Sequence, residues 1–285
     1  MGDYGPEVRV SPAQVAGGIS SLPADAQDEI SVLVTGFGPF GTNLVNASFL
    51  IASSLPTSLT FPGATATASS PRRISIHVHP SPIPVAYSTV RTTVPAIIEN
   101  FKEAHGGRRP DLIIHMGIAS TRAYYSVETQ AHRDSYLIAD INGQSGYDDG
   151  ERLWREQGRP FRLKPGPAAA FSSLSLSSSQ RPVAVPEATG QPGAHAYMPD
   201  AHFLEQWKSF SPLEADIRIS EDAGRFLCEF IFYTSLSQAW ADGEDRNIIF
   251  FHVPRSCQDQ DIKLGREITI GLIKTLVTCW IDEHK

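Results

Sequence analysis

Sulfur is scarce in this 285-residue chain, which holds three cysteines (Cys228, Cys257 and Cys279) and three methionines. An odd, sparse set of cysteines excludes a disulfide framework. The cysteines and histidines also lack the close paired spacing of a zinc site, so neither a metal nor another cofactor is expected. No apolar run approaches the length that crosses a bilayer. Met1 to Val10 carries Asp3, Pro6 and Glu7, which breaks the apolar centre a signal peptide needs. Gly2 would suit N-myristoylation, but Pro6 stands where Ser or Thr is wanted. Positive charge is short as well: 24 Lys and Arg face 31 Asp and Glu, for a net charge of −7. Such a balance argues against a nucleic-acid partner. The tight basic pairs, Arg72-Arg73 and Arg108-Arg109, read as loop solvation. These absences predict a reduced, cytoplasmic protein with neither a nucleic-acid nor a membrane partner.

What the chain does have is an alternation of apolar runs and helical stripes. Ile30 to Thr35 is a β-branched run ended by glycines, and Arg73 to Val78 alternates Ile74, Ile76 and Val78. Asp111–Met116, Ala215–Ser220 and Asn247–Val253 read as three further strands. Helices are expected over Asn46–Leu55, Tyr87–Ala104, Phe226–Trp240 and Asp261–Trp280. In the second, Val90, Val94, Ile97, Ile98 and Phe101 form one stripe; in the last, Ile268, Leu272, Leu276 and Trp280 step by four. This order predicts a single α/β domain over 30–285, with three α/β/α layers around a twisted, largely parallel sheet. Residues 1–29 read as a flexible leader. The Pro-, Ala- and Ser-rich stretch at about 158–199 buries too little apolar surface to offset its ordering entropy and reads as an insertion.

Gly36-Phe37-Gly38-Pro39-Phe40-Gly41 has the G-x-G-x-x-G spacing of a dinucleotide site directly after a strand. Yet no Asp or Glu occurs between Glu29 and Glu99 to hold a ribose. Pro39 removes a backbone donor, and two phenylalanines crowd the place of a pyrophosphate. A tight turn is the better reading, with Phe37 and Phe40 walling a small apolar pocket.

The chemistry lies past the strand ends. The third strand leads to a loop with Glu128 and His132, the fourth to Ser220–Cys228, and the fifth ends at His252. A thiol, an imidazole and a carboxylate on one sheet edge are the parts of a cysteine hydrolase. Cys228 sits near a helix start that favours a thiolate, behind the permissive Gly224. His252 would carry the proton, Glu128 would orient the imidazole, and first-turn N–H groups would hold an oxyanion. Each residue alone has a plainer reading: Cys228 as a small buried hydrophobe, His252 as structural, Glu128 as a solvated loop acid. Cys279 is expected in the core, and Cys257 in a loop that frames it poorly as a nucleophile.

Three blocks resemble the type I pyroglutamyl peptidases. They are Val32–Gly41 with Val45–Ser48, Ile219–Cys228 continued by Tyr233–Leu236, and Phe251–Pro254. Ile83–Tyr87, His115–Gly117 and Val127–Glu128 add to them, and the eukaryotic branch is the nearest match. The resemblance spans roughly 31–155 and 200–280. It implies a cysteine exopeptidase with pyroglutamyl peptides as substrate, Cys228 as nucleophile, His252 as base and Glu128 as orienting acid. It also implies a ring pocket lined by Phe37, Phe40, Phe226 and Leu227, with Asn46 of the opening block among the substrate-binding residues. A flat, uncharged lactam wants such an apolar site. Two other readings are a cysteine amidohydrolase of different specificity and an inactive binding protein on the same fold.

Overall fold

A computed structural model describes residues 29–61, 72–168 and 199–282. The leader expected over 1–29, apart from Glu29, and most of the 158–199 stretch lie outside the described residues. The β-branched runs form the centre of a seven-stranded sheet. In it β1 (Glu29–Gly36) is flanked by β3 (Arg72–Val78) and β4 (Leu112–Ile118), with β9 (Ile248–Val253) beyond β4. These four strands are mutually parallel. All seven residues of β4 and all six of β9 are buried, as strands covered on both faces must be.

Alternation sends successive side chains to opposite faces. On one face, Leu112, Ile114, Met116, Ile249 and Phe251 pack against α1 (Ala47–Ser53), α4 (Ala201–Phe210) and α6 (Asp259–Leu276), through Ile51, Trp207 and Leu272. On the other, Leu33, Ile113 and Phe250 pack against α2 (Tyr87–Ala104) and α5 (Leu227–Asp242). Val90, Val94 and Phe101 do this from the α2 stripe. Fully burying such a side chain contributes about 1.5–3 kcal/mol. The result is the three-layer α/β/α fold that the sequence pattern predicts.

The sheet is less parallel at its margins. β2 (Ser58–Phe61) runs antiparallel to β3. At the other end β5 (Tyr125–Glu128) runs antiparallel to β9, and β8 (Ile217–Ser220) is parallel to β5. β2 and β5 are missing from the expected elements, whereas β8, equally short, is marked by the alternation of Ile217 and Ile219. A small hairpin of β6 (Ala131–His132) and β7 (Arg162–Leu163) follows, with α3 (Arg152–Glu156) packed beneath it through Trp154. Composition assigns 158–168 to the insertion, but these residues are integrated. Leu163 is buried, and Gly166 forms a bridge to Arg246. α4 begins at Asp200, whose carboxylate caps the N–H of Phe203 at 2.9 Å. The last helix ends at Leu276 and passes into a π turn, Val277–Asp282, which buries Cys279 and Trp280. Among the described residues, no helix is long and apolar enough to cross a membrane.

Candidate active site

Cys228 is the second residue of α5. The chain reaches it through a loop in which Gly224 takes φ +82°, with nothing within 4 Å of where a side chain would stand. That left-handed turn is why a glycine belongs there. Asp222 fixes the turn by accepting from the Gly224 N–H at 3.0 Å and from Arg225 Nη1 at 3.1 Å. Phe226 occupies the N-cap position and offers no capping side chain, so the first-turn N–H groups of α5 remain as donors for an anion.

The thiol lies against Gly117. A Cβ on Gly117 would stand 2.9 Å from Cys228 Sγ and 2.8 Å from the Phe250 ring. Gly117 is in turn the cross-strand partner of His252. The imidazole is 4% exposed and meets the Phe250 ring edge-to-face at 4.7 Å. Its Nδ1 is 2.7 Å from Glu128 Oε1. A carboxylate oxygen accepts, so Nδ1 carries the proton and Nε2 is left free to take one. Among the described residues no hydrogen bond joins the thiol to the imidazole.

Glu128 is not on a loop, as the sequence suggests, but is the fully buried last residue of β5. Because β5 runs antiparallel to β9, its end lies level with Phe250 rather than at the strand-end edge. Glu128 therefore reaches His252 as a diagonal cross-strand neighbour on the face covered by α5. Burial pushes its carboxyl up, but His252, Ser220 and Arg122 together hold it below the ordinary carboxylate range. Arg122 Nη1 donates to the same Oε1 at 2.7 Å, while Oε2 is buried without a hydrogen bond.

The thiol itself is held in its neutral form. Burial, then the Glu128 charge, push Cys228 up to about 12, against the opposing pull of Arg122. A thiolate forms there only by handing its proton to His252, as an ion pair.

A second His–carboxylate pair adjoins the nucleophile. Glu229, fully buried, accepts from the His132 N–H at 3.0 Å, meets His132 Nδ1 at 2.7 Å and pairs with Arg225 at 2.6 Å. Burial raises this carboxyl to about 8 despite Arg225. His132 thus belongs to Glu229 and not to the Glu128 dyad.

The five residues expected at the ring pocket differ in their surroundings. Phe40 and Phe226 are half-buried and 6.2 Å apart, and Tyr87 meets Phe226 at 6.0 Å. Together with Cys228 they lie against the α2–α5 core. Phe37 is almost wholly buried beside Gly117. Leu227, 1% exposed, packs into the core and has no free face for a ring. Asn46 is buried in the loop: Nδ2 donates one of its two hydrogens to the Gly38 carbonyl, and Oδ1 accepts from Ser48 N–H and Oγ. These bonds shape the Phe37–Phe40 loop. In that loop the N–H groups of Phe37, Gly38 and Phe40 bond to Ser48, Ile83 and Asn43, leaving no nest for a pyrophosphate. Among the described residues no His, Cys, Asp and Glu group is arranged to hold a metal. A cavity of about 340 Å³ lined by Glu29, His77 and His105 lies at the opposite, N-terminal end of β1 and contains none of these residues.

Sequence reasoning missed Arg122, Gly117 and Tyr87. Gly117 had a signal, as a glycine ending a buried run, and Tyr87 stood in a block of the resemblance; Arg122 had none.

No family model matches the chain. It is 27% identical to pyroglutamyl-peptidase 1 of Mus musculus over 232 residues, covering 80% of each protein. Its identity to the Homo sapiens protein of that name is 26%, with the same coverage. Pyrrolidone-carboxylate peptidase of Pyrococcus furiosus matches at 24% over 241 residues, covering 83% of this chain and 86% of that one. The chain is similar over most of its length to the type I pyroglutamyl peptidases. The mammalian members match it at slightly higher identity than the archaeal one, in line with the eukaryotic branch. Pyrrolidone carboxyl peptidase from Thermococcus litoralis shares its fold, with a TM-score of 0.60 at 16% identity over 90% of this chain and 96% of that one.

Proposed function

We propose that the chain is a cysteine-type omega exopeptidase that hydrolyses the amide bond after an N-terminal pyroglutamyl residue. The supporting observation is the His252–Glu128 pair at 2.7 Å, held one strand from the thiol that begins α5. In this reading the proton of Cys228 passes to His252 Nε2 as Sγ attacks the pyroglutamyl carbonyl carbon. The oxyanion draws on the first-turn N–H groups of α5. Collapse breaks the C–N bond, and His252 returns the proton to the leaving amine. Water, deprotonated by His252, then cleaves the thioester and frees pyroglutamate and the thiol. Phe40 and Phe226 flank the flat lactam. The protein works in the cytoplasm, where a reducing medium keeps Cys228 a thiol. The elements from 30 onward act as one domain, interrupted by the Pro- and Ser-rich segment.

The test is hydrolysis of a pyroglutamyl fluorogenic amide by the wild type and by Cys228→Ser. Turnover by the wild type and its loss in the variant are expected. Equal turnover by the two proteins would refute the reading. Cleavage of other N-acyl amides alone would select an amidohydrolase of different specificity. A Cys228 no more reactive to iodoacetamide than Cys257 would select a binding protein.

A further inference from the structure

We infer that Arg122 is a positioning residue of this site, tying the acid of the dyad to the loop that delivers the nucleophile and compensating the acid's charge. The inference rests on the hydrolase reading above.

Arg122 stands in the loop between β4 and β5 and makes three bonds to two elements. Nη1 donates to Glu128 Oε1 at 2.7 Å and to Ser126 Oγ at 2.8 Å, both on β5. Nη2 donates to the Asp222 carbonyl at 2.9 Å, two residues before Gly224. Its guanidinium also lies 5.8 Å from the Tyr124 ring, whose closer cation is Arg218 at 3.9 Å. One planar fork therefore spans the acid's strand and the turn before α5. A lysine carries the charge but not the fork.

The shared oxygen has a second effect. Oε1 of Glu128 accepts from both His252 and Arg122, so the carboxylate's charge is divided between an imidazole and a permanent cation. The groups acting on the thiol are Glu128 from β5, Glu229 from its own helix and Arg122 from the loop. Tyr87 of α2 faces the same thiol, and Ser220 of β8 faces Glu128. Among these Arg122 is the permanent cation. Without it, the full Glu128 charge opposes a thiolate and favours an imidazolium. Both effects have one sign: each limb of a bell-shaped pH profile moves to higher pH.

The experiment compares wild type, Arg122→Gln and Arg122→Lys. It measures kcat/KM for a pyroglutamyl amide against pH, and the pH dependence of iodoacetamide alkylation at Cys228, located by peptide mass. Arg122→Gln is expected to move both limbs up by about one pH unit and to lower the optimum about tenfold. Arg122→Lys is expected to keep the limbs in place and still lose activity, since it restores charge without the fork. Limbs unmoved in Arg122→Gln overturn the inference. Where Arg122→Gln does not fold, Arg122→Lys decides: displaced limbs or unchanged kcat/KM overturn it, and limbs in place with reduced kcat/KM uphold it. A wild type without pyroglutamyl hydrolysis refutes the proposed function alone, because the alkylation profile still tests Arg122.

Discussion

At the scale of single residues, the site depends on an atom that is missing. Gly117 brings β4 to the thiol only because it has no side chain, and a methyl group there would stand within 3 Å of Cys228 Sγ and the Phe250 ring. Overpacking of this kind costs typically about 1–3 kcal/mol. Gly117→Ala is therefore expected to fold with a lowered melting temperature and to lose most of its kcat/KM, as Sγ is pushed away from His252. A variant with wild-type kcat/KM would show that Sγ does not work from this position. Cys228 and His252 were legible in the sequence because each has a local marker: a glycine turn before a helix, and the end of an apolar strand. Glu128 was legible as an acid past the third strand, but without a local marker of its own. Arg122 was not legible at all, since its partners lie 6 and 100 residues away.

At the scale of elements, the antiparallel course of β5 decides where the acid goes. Strand-end reasoning, sound for a parallel sheet, places Glu128 on a shared edge. The ladder instead sets it two residues inside, beside Phe250, where its side chain points to the α5 face. Tyr125–Glu128 lacks the isoleucine alternation that marks the equally short β8, which is why sequence reading misplaced this element. The start of α5 is the other decisive element boundary. Gly224→Ala forces a Cβ into the left-handed region at φ +82°, at a cost of about 1–2 kcal/mol. The expected result is a melting temperature lower by about 2–4 °C per kcal/mol and a reduced kcat/KM, because Cys228 lies four residues on. Differential scanning calorimetry beside kinetics checks both. An unchanged pair of values would mean that the turn relaxes freely.

Across the whole molecule, a buried polar chain joins the sheet to the nucleophile helix. Thr35 of β1, His115 of β4 and Ser235 of α5 meet at 2.7 Å on each side of the imidazole. All three are at most 1% exposed. Burial drives His115 down to about 3, so the native state keeps it neutral while the unfolded chain protonates it near its ordinary value of 6.5. The stabilisation is fully present above pH 6.5 and is lost as pH falls toward 3, on the order of a few kcal/mol in total. Glu128, held below its ordinary range, adds a loss of the same sign at lower pH. Urea midpoints of the wild type should therefore fall steadily below pH 6.5. His115→Gln should start from a lower midpoint and show a flatter slope between pH 6.5 and 4. Parallel slopes would exclude His115 as the source. The layer architecture was readable from alternation and stripes, because central strands and long helices repeat their pattern many times. β2 and β5 near the margins were not, because such short strands are fixed by their neighbours.

The placement of Glu128 by a ladder has a consequence for how such a site diverges. The acid and the base are locked by backbone pairing between β5 and β9, so the β4–β5 connection is free of that duty. Its sequence can drift, and a grafted loop can replace it, without unseating the dyad. Arg122 is the exception, an anchor point any replacement must keep. A library that randomises 119–121 and 123–124 around a fixed Arg122 would sample new substrate preferences on an unchanged catalytic frame.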